Sequence, residues 1–228
     1  MPQLIVTPTI DSTMDYGSPD TNFGQSGTIS QGVLIAGGSK NAVRRAIANF
    51  DVSPIPISAV IAQARMRRAI SLADVSQHSV RIARCARPAQ WTENGVTWNR
   101  YDGTNAWITG GGEYDDLTPA AVSFVEAVAP GQHEIAGLAG FVRDALDLRS
   151  GVVSVVLRNE NEAPLVSERS NWLAGTFWEL IIDYNVTADP GRRSAIDDDS
   201  ARSGTRPSVP SEGQRPARPS SGKGGRRS

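Results

Sequence analysis

Glu113, Asp115 and Asp116 crowd a stretch opened by Gly110-Gly111-Gly112. Two carboxylates can cleave a glycosidic bond when they are held facing each other across it. Neighbours on a glycine-rich loop have no such fixed separation, so the cluster is weak support for hydrolysis. Calcium is the other chemistry open to carboxylates, since it gathers roughly six to eight oxygens. Asp11, Asp15, Asp20, Asp51 and Asp183 could supply such oxygens, although no spacing follows an EF-hand loop. Neither His78 nor His133 lies near a serine or cysteine in a known nucleophile motif such as Gly-x-Ser-x-Gly. With two histidines and one cysteine, the usual zinc ligands are scarce. Ala36-Gly37-Gly38-Ser39-Lys40 lacks the first glycine and the spacing of a phosphate loop, and reads as a hairpin turn.

Aromatic residues carry the binding chemistry. Tyr101, Trp107 and Tyr114 fall in a polar, glycine-rich loop from Tyr101 to Asp116, and Trp172 stands beside Asn171 in a loop before the last strand. Loops on a rigid scaffold are where ligands are met, so these four are the candidate ligand contacts; local packing is the competing reading. Trp91 and Trp98 flank Asn94-Gly95. Their flat indoles suit sugar rings, but the large burial an indole offers favours a place in the core. Arg65, Arg67, Arg68, Arg81, Arg84 and Arg87 make one stretch locally basic. Alternation would gather several of them on one sheet face, yet no aromatic interleaving supports nucleic-acid binding. Cys85 reads by default as a buried, inert thiol.

The elements that must position these residues are strands. Apolar residues recur with period two over Val60–Arg67, Val80–Cys85, Val122–Ala127 and Phe177–Val186, and Val152–Leu157 is a nearly continuous β-branched run. Gly, Pro and Asn/Asp clusters separate them. One stretch, Gly137 to Leu148, has helical spacing. Many short strands and one short helix predict an all-β fold, an antiparallel β-sandwich or barrel.

The 228 residues are 39% hydrophobic and 21% charged, with a formal net charge of −1. No apolar run is long enough to span a membrane, and Met1 to Ile10 carries no basic start with an apolar stretch, so no secretory signal is expected. A lone cysteine excludes an internal disulfide. The neutrality conceals two parts. Residues 189–228 hold nine Lys/Arg against five Asp/Glu, a charge of +4, which leaves −5 for residues 1–188. The same forty residues contain five Pro, six Gly, eight Ser and no aromatic. Such a segment has too little to bury to offset its ordering entropy, which predicts a folded unit over 1–188 and a disordered basic tail over 189–228. The tail's basic clusters are sparse, so nucleic-acid contact is a weak expectation.

Several phrases in series resemble the DNRLRE-domain family, which includes disaggregatase-related repeats and carbohydrate-binding modules. They are Pro19-Asp20-Thr21-Asn22-Phe23-Gly24, Arg45 to Asp51 with Ser53-Pro54-Ile55-Pro56, and Ile57 to Met66. Trp91-Thr92-Glu93-Asn94-Gly95-Val96-Thr97-Trp98-Asn99, Ile135 to Leu138, Ser167 to Ser170 and the closing strand Trp178 to Tyr184 complete the series. The resemblance spans roughly residues 8 to 186. It implies a jelly-roll-like sandwich without catalysis of its own, used to hold polysaccharide or to build surface and bacteriophage structures. Related sandwich modules often hold structural calcium, for which Asp11, Asp20 and Asp183 are the candidate ligands. The expected role is a non-catalytic surface-binding or structural module on a virion or extracellular surface. Its partners would be surface glycan or other virion or surface proteins, with a homo-oligomer in a cement-like role. The missing signal and disulfides agree with a virion component assembled in reducing cytosol. The alternative is an accessory domain or fragment of a polysaccharide-degrading lyase or hydrolase. Asn185-Val186-Thr187 fits the N-glycosylation pattern, which has force only in an exported chain.

Overall fold

Each stretch that alternates with period two folds as a strand. The computed structural model describes residues 1–26, 29–36, 39–73, 78–115, 121–126, 131–160, 162 and 171–186, all within one compact unit, Met1–Thr187. The expected tail lies outside the described residues. Chain order gives β1 (Gln3–Val6), β2 (Ile10–Asp15), β3 (Ile29–Ala36), β4 (Ser39–Asp51), β5 (Val60–Ala73), β6 (His78–Cys85), β7 (Tyr114–Asp115), β8 (Ala121–Glu126) and β9 (Gly131–Ala136). A helix, α1 (Ala139–Leu148), precedes β10 (Val152–Asn159) and β11 (Asn171–Asn185).

All pairings are antiparallel. One layer runs β2–β4–β10–β6, with β8 and β7 on the far edge of β6. The other runs β1–β11–β5–β9. β3 pairs with both β4 and β11 and so stitches the layers together. Ala36 faces Ser39 across β3 and β4, as a hairpin requires. The fold is an all-β sandwich with one short helix. No helix among the described residues is long and apolar enough to cross a membrane.

The core lies between the layers. β4 supplies Ala46, Ala48 and Phe50, β10 supplies Val153, Val155 and Leu157, and β11 answers with Trp178, Leu180 and Ile182. Leu138, Phe141, Val142 and Ala145 bring α1 onto the same cluster. The helix begins at Ala139, two residues later than its apolar spacing predicts, because Gly137 has a left-handed φ of 91°. Arg143 pins it by donating to the carbonyls of Ile57 and Ala59.

The two layers differ on their outer faces, as the sequence pattern reflects. β11 alternates because its outward face carries ion pairs around one buried apolar residue, Ile181: Glu179 pairs with Arg67, and Asp183 with Arg65, which also reaches Glu134. β10 is nearly continuous in β-branched residues because both of its faces are covered: Val155 and Leu157 enter the inner core while Val156 joins a second cluster outside. The expected basic sheet face is therefore corrected. Arg65, Arg67, Arg81, Arg84 and Arg87 each meet a carboxylate, and Arg68 is buried.

Candidate functional site

The cover over that outer face is the stretch between β6 and β7, residues 86–113. It has no hydrophobic period, yet it brings Trp91, Val96 and Trp107 down onto Met14, Ile47, Cys85 and Val156. Both indoles sit in the apolar cluster with their polar edges satisfied. Trp91 Nε1 donates to Asn49 Oδ1 at 3.0 Å, and Trp107 Nε1 to the Thr97 carbonyl at 3.1 Å. Cys85 is fully buried, and burial pushes its thiol up, away from the reactive thiolate.

A second loop, residues 16–26, is bolted to this cover by the two phrases quoted above. Asn22 Nδ2 donates to the carbonyls of Glu93 and Val96, both at 2.7 Å, and Gln25 Nε2 donates to Asn94 Oδ1 at 2.8 Å. Asn99 donates its backbone N–H to the Pro19 carbonyl and its side-chain amide to Asp20 Oδ1. The loops approach so closely that a Cβ on Gly24 would lie 2.1 Å from the Glu93 carbonyl oxygen; only glycine fits there. Between them opens a cleft of about 310 Å³ lined by Asp20, Asn22, Asn94, Gly95, Thr97, Arg100 and Gly103. Its lining is a carboxylate, amides, a hydroxyl and a guanidinium. Asp20, Asn94 and Arg100 are exposed, and the one hydrogen bond shown for each carboxylate or amide uses part of its capacity. A second hollow, about 340 Å³, is lined by Ala86, Ile108, Thr109, Gly112, Glu113 and Tyr114. There the Glu113 carboxylate is already taken by Arg87 Nε and the Ile108 N–H, each at 2.7 Å.

Stacked arginines and aromatics hold the cover down. Arg45 is buried, with its guanidinium 4.8 Å from the centre of the Trp98 ring and 5.1 Å from that of Tyr114. It donates to the Gly111 carbonyl at 2.8 Å and forks onto Glu162, with Nη2 to Oε2 at 2.6 Å. Gly111, at φ 80°, leaves the room this needs, since a Cβ there would fall 2.7 Å from Arg45 Nη1. Arg158 lies 5.0 Å from the centre of the Tyr114 ring. At the end of the stack, the half-exposed ring of Tyr16 meets Trp98 edge-on at 5.4 Å.

The sequence candidates fall in several places. Trp107 is 5% exposed and offers no free face to a ligand. Tyr101 is half-buried, tilted against Trp107 at 5.5 Å with Arg87 over its ring. Tyr114 lies in β7, half-buried against Arg45 and Arg158. Trp172 belongs to β11, opposite Gly32 of β3, rather than to a loop; its side chain lies outside the described residues. The three aspartates are not brought together. Asp11 is on β2, where burial and then the nearby Glu93 push its carboxyl up from 3.8 to about 6. Asp20 lines the cleft, and Asp183 is in the other layer, held low by hydrogen bonds from Gln3 and Arg65. Among the described residues no three His, Cys, Asp or Glu gather as a metal site would need. Glu113 and Asp115 point to separate arginines, Arg87 and Arg84, and Asp116 lies outside the described residues. His133 lies on β9 opposite Arg68. Asn94, Thr97, Arg100 and Tyr16 were not singled out from the sequence. The first two stand inside the Trp91–Asn99 phrase, which is their one signal.

Residues 2–109 match the model of carbohydrate-binding module family 96. The match covers residues 16–26, residues 86–109 of the cover and every residue lining the cleft. It supports the carbohydrate-binding-module side of the resemblance, and neither the narrower DNRLRE likeness nor the bacteriophage one. No curated protein matches the chain. The segment similar to family 96 ends before β8, whereas its strands β4 and β5 are completed by β10 and β11. The sandwich therefore extends beyond the matched segment.

Proposed function

We propose that the chain is a non-catalytic carbohydrate-binding module that holds glycan in the cleft between residues 16–26 and 86–113. One observation carries the reading: the segment similar to carbohydrate-binding module family 96 contains the whole lining of that cleft. Sugar hydroxyls both donate and accept, and Asp20, Asn94 and Arg100 offer acceptors and donors side by side. The carboxylates that could have served hydrolysis, Glu113 and Asp115, are each engaged by an arginine. Binding without turnover is common to a virion component and to an accessory module of a polysaccharide-degrading enzyme, and it is the step proposed.

Affinity electrophoresis through gels cast with soluble polysaccharides tests it. Migration is expected to slow in at least one polymer, to recover in Arg100→Ala with an unchanged melting temperature, and to leave no new reducing ends. Unretarded migration in every polymer, or retardation indifferent to Arg100, would refute the cleft as a glycan site. New reducing ends would refute the non-catalytic reading.

A further inference from the structure

We infer that Asp102, which stands outside the cleft lining, is the positioning residue that presets the Arg100 guanidinium for glycan. The inference rests on the glycan-binding reading above and adds the residue through which that guanidinium is held ready. Asp102 closes the turn 102–105. Its Oδ1 accepts from the backbone N–H groups of Thr104 at 2.9 Å and Asn105 at 2.6 Å, and its Oδ2 accepts from Asn105 Nδ2 at 2.7 Å. These contacts hold its carboxyl below the usual range, so it stays ionised and a full acceptor. The turn bends at Gly103, whose φ of 86° is left-handed. The Gly103 carbonyl then accepts from Arg100 Nη1 at 3.1 Å.

The backbone of Arg100 is fixed separately. Its N–H donates to Oγ1 of the buried Thr97 at 3.0 Å, and its carbonyl accepts from the Thr97 N–H at 2.8 Å. Arg100 also bridges Ala106 across the base of the turn. Both ends of the side chain are therefore tied, and the outer tie is a carbonyl that Asp102 places. That contact uses one of the five guanidinium donors, and the exposed fork presents others to a ligand. An arginine that had to be ordered only on binding would lose about three- to tenfold in affinity. The turn also sets one wall of the cleft. A Cβ on Gly95 would fall 2.3 Å from the Asp102 carbonyl carbon, and one on Gly103 would fall 3.4 Å from Gly95 Cα, so these two lining residues are packed together. Gly103, Thr104 and Asn105 are exposed, and loosening the turn leaves the apolar clusters in place.

Affinity electrophoresis of the full chain in gels of galactomannan, xyloglucan, polygalacturonate and alginate tests this, with dissociation constants taken in whichever polymer retards it most. Asp102→Ala should weaken binding about three- to tenfold and keep a melting temperature close to wild type. Asp102→Asn should bind nearly as the wild type does, because its amide oxygen can still accept from the Thr104 and Asn105 N–H groups. In an Arg100→Ala background Asp102→Ala should add no further loss, since the group it positions is gone. Losses that add instead, or Asp102→Asn as weak as Asp102→Ala, would give Asp102 a role apart from presetting Arg100 and overturn the inference. Wild-type affinity in Asp102→Ala, with Arg100→Ala still impaired, overturns it too and leaves the glycan reading standing. Retardation in no polymer, or retardation indifferent to Arg100, refutes both.

Discussion

Replacing Asp11 with asparagine is expected to stabilise the protein above neutral pH and to leave it nearly unchanged in acid. Asp11 is half-buried on β2, and burial followed by the Glu93 charge raises its carboxyl from 3.8 to about 6. A carboxyl whose folded value exceeds its unfolded one binds protons more readily in the folded state. Stability therefore falls as pH rises from about 4 to about 6 and is flat beyond. The shift is about two units, which at about 1.4 kcal/mol per unit is about 3 kcal/mol for a fully buried group. Water reaches Asp11, so screening reduces this to about 1–1.5 kcal/mol. Urea unfolding followed by tryptophan emission at about pH 4 and about pH 8 measures it directly. Asp11→Asn should gain about 1–1.5 kcal/mol at the higher pH and a few tenths at most at the lower. Glu93→Gln, which removes only the smaller cause, should give a smaller gain with the same pH dependence. A gain equal at both pH values, or no gain at the higher one, would refute the reasoning. Added calcium should leave the difference in place; a calcium-dependent reversal would restore Asp11 as a ligand.

Gly24→Ala should cost about 2–4 kcal/mol in the same unfolding assay, because a methyl group 2.1 Å from the Glu93 carbonyl forces apart the loops that Asn22 joins. Glycan binding should fall with it. Arg45→Met should cost about 3 kcal/mol by leaving Glu162 without its forked partner, and the double variant Arg45→Met/Glu162→Leu should regain part of that loss. A double variant less stable than the single would mean that the arginine acts mainly by stacking on Trp98 and Tyr114. Removing residues 189–228 should leave the melting temperature within a degree or two, since a segment so rich in Pro, Gly and Ser has little to bury; differential scanning fluorimetry reads it.

Strands long enough to show period two were legible: β5, β6, β8, β10 and β11 each follow an alternating or β-branched run. The uninterrupted run in β10 already implied cover on both faces, but the cover itself was not legible. Residues 86–113 are held by scattered indoles, backbone turns and Asn clamps, and irregular backbone has no period to detect. Trp107 reads as a loop aromatic for the same reason, although the chain turns it inward onto Ile47 and Val156. Trp172 belongs to a strand although its neighbours Asn171 and Gly175 are poor strand formers; pairing of this stretch with β3 and β5 overrides that weak propensity. The arginines looked like a basic face because their carboxylate partners lie as far as 118 residues away in the chain. The glycan cleft was half legible. The Asn-Phe-Gly and Trp-Thr-Glu phrases stood out, but nothing in one sequence said that they touch.

β1 and β11 have a consequence for how the protein comes into being. Gln3 pairs with Asp183, so the first strand waits for a partner made 180 residues later. At about 5–20 residues per second that is roughly 10–40 s of synthesis. In that interval β4 and β5 also lack β10 and β11, and the apolar sides of all three strands stand unpaired. The sandwich therefore cannot close from its amino end while it is being made. Folding must be a late, whole-chain event with distant partners, slow for its size. Expression conditions that protect the nascent chain should raise the soluble yield more than substitutions in the finished core.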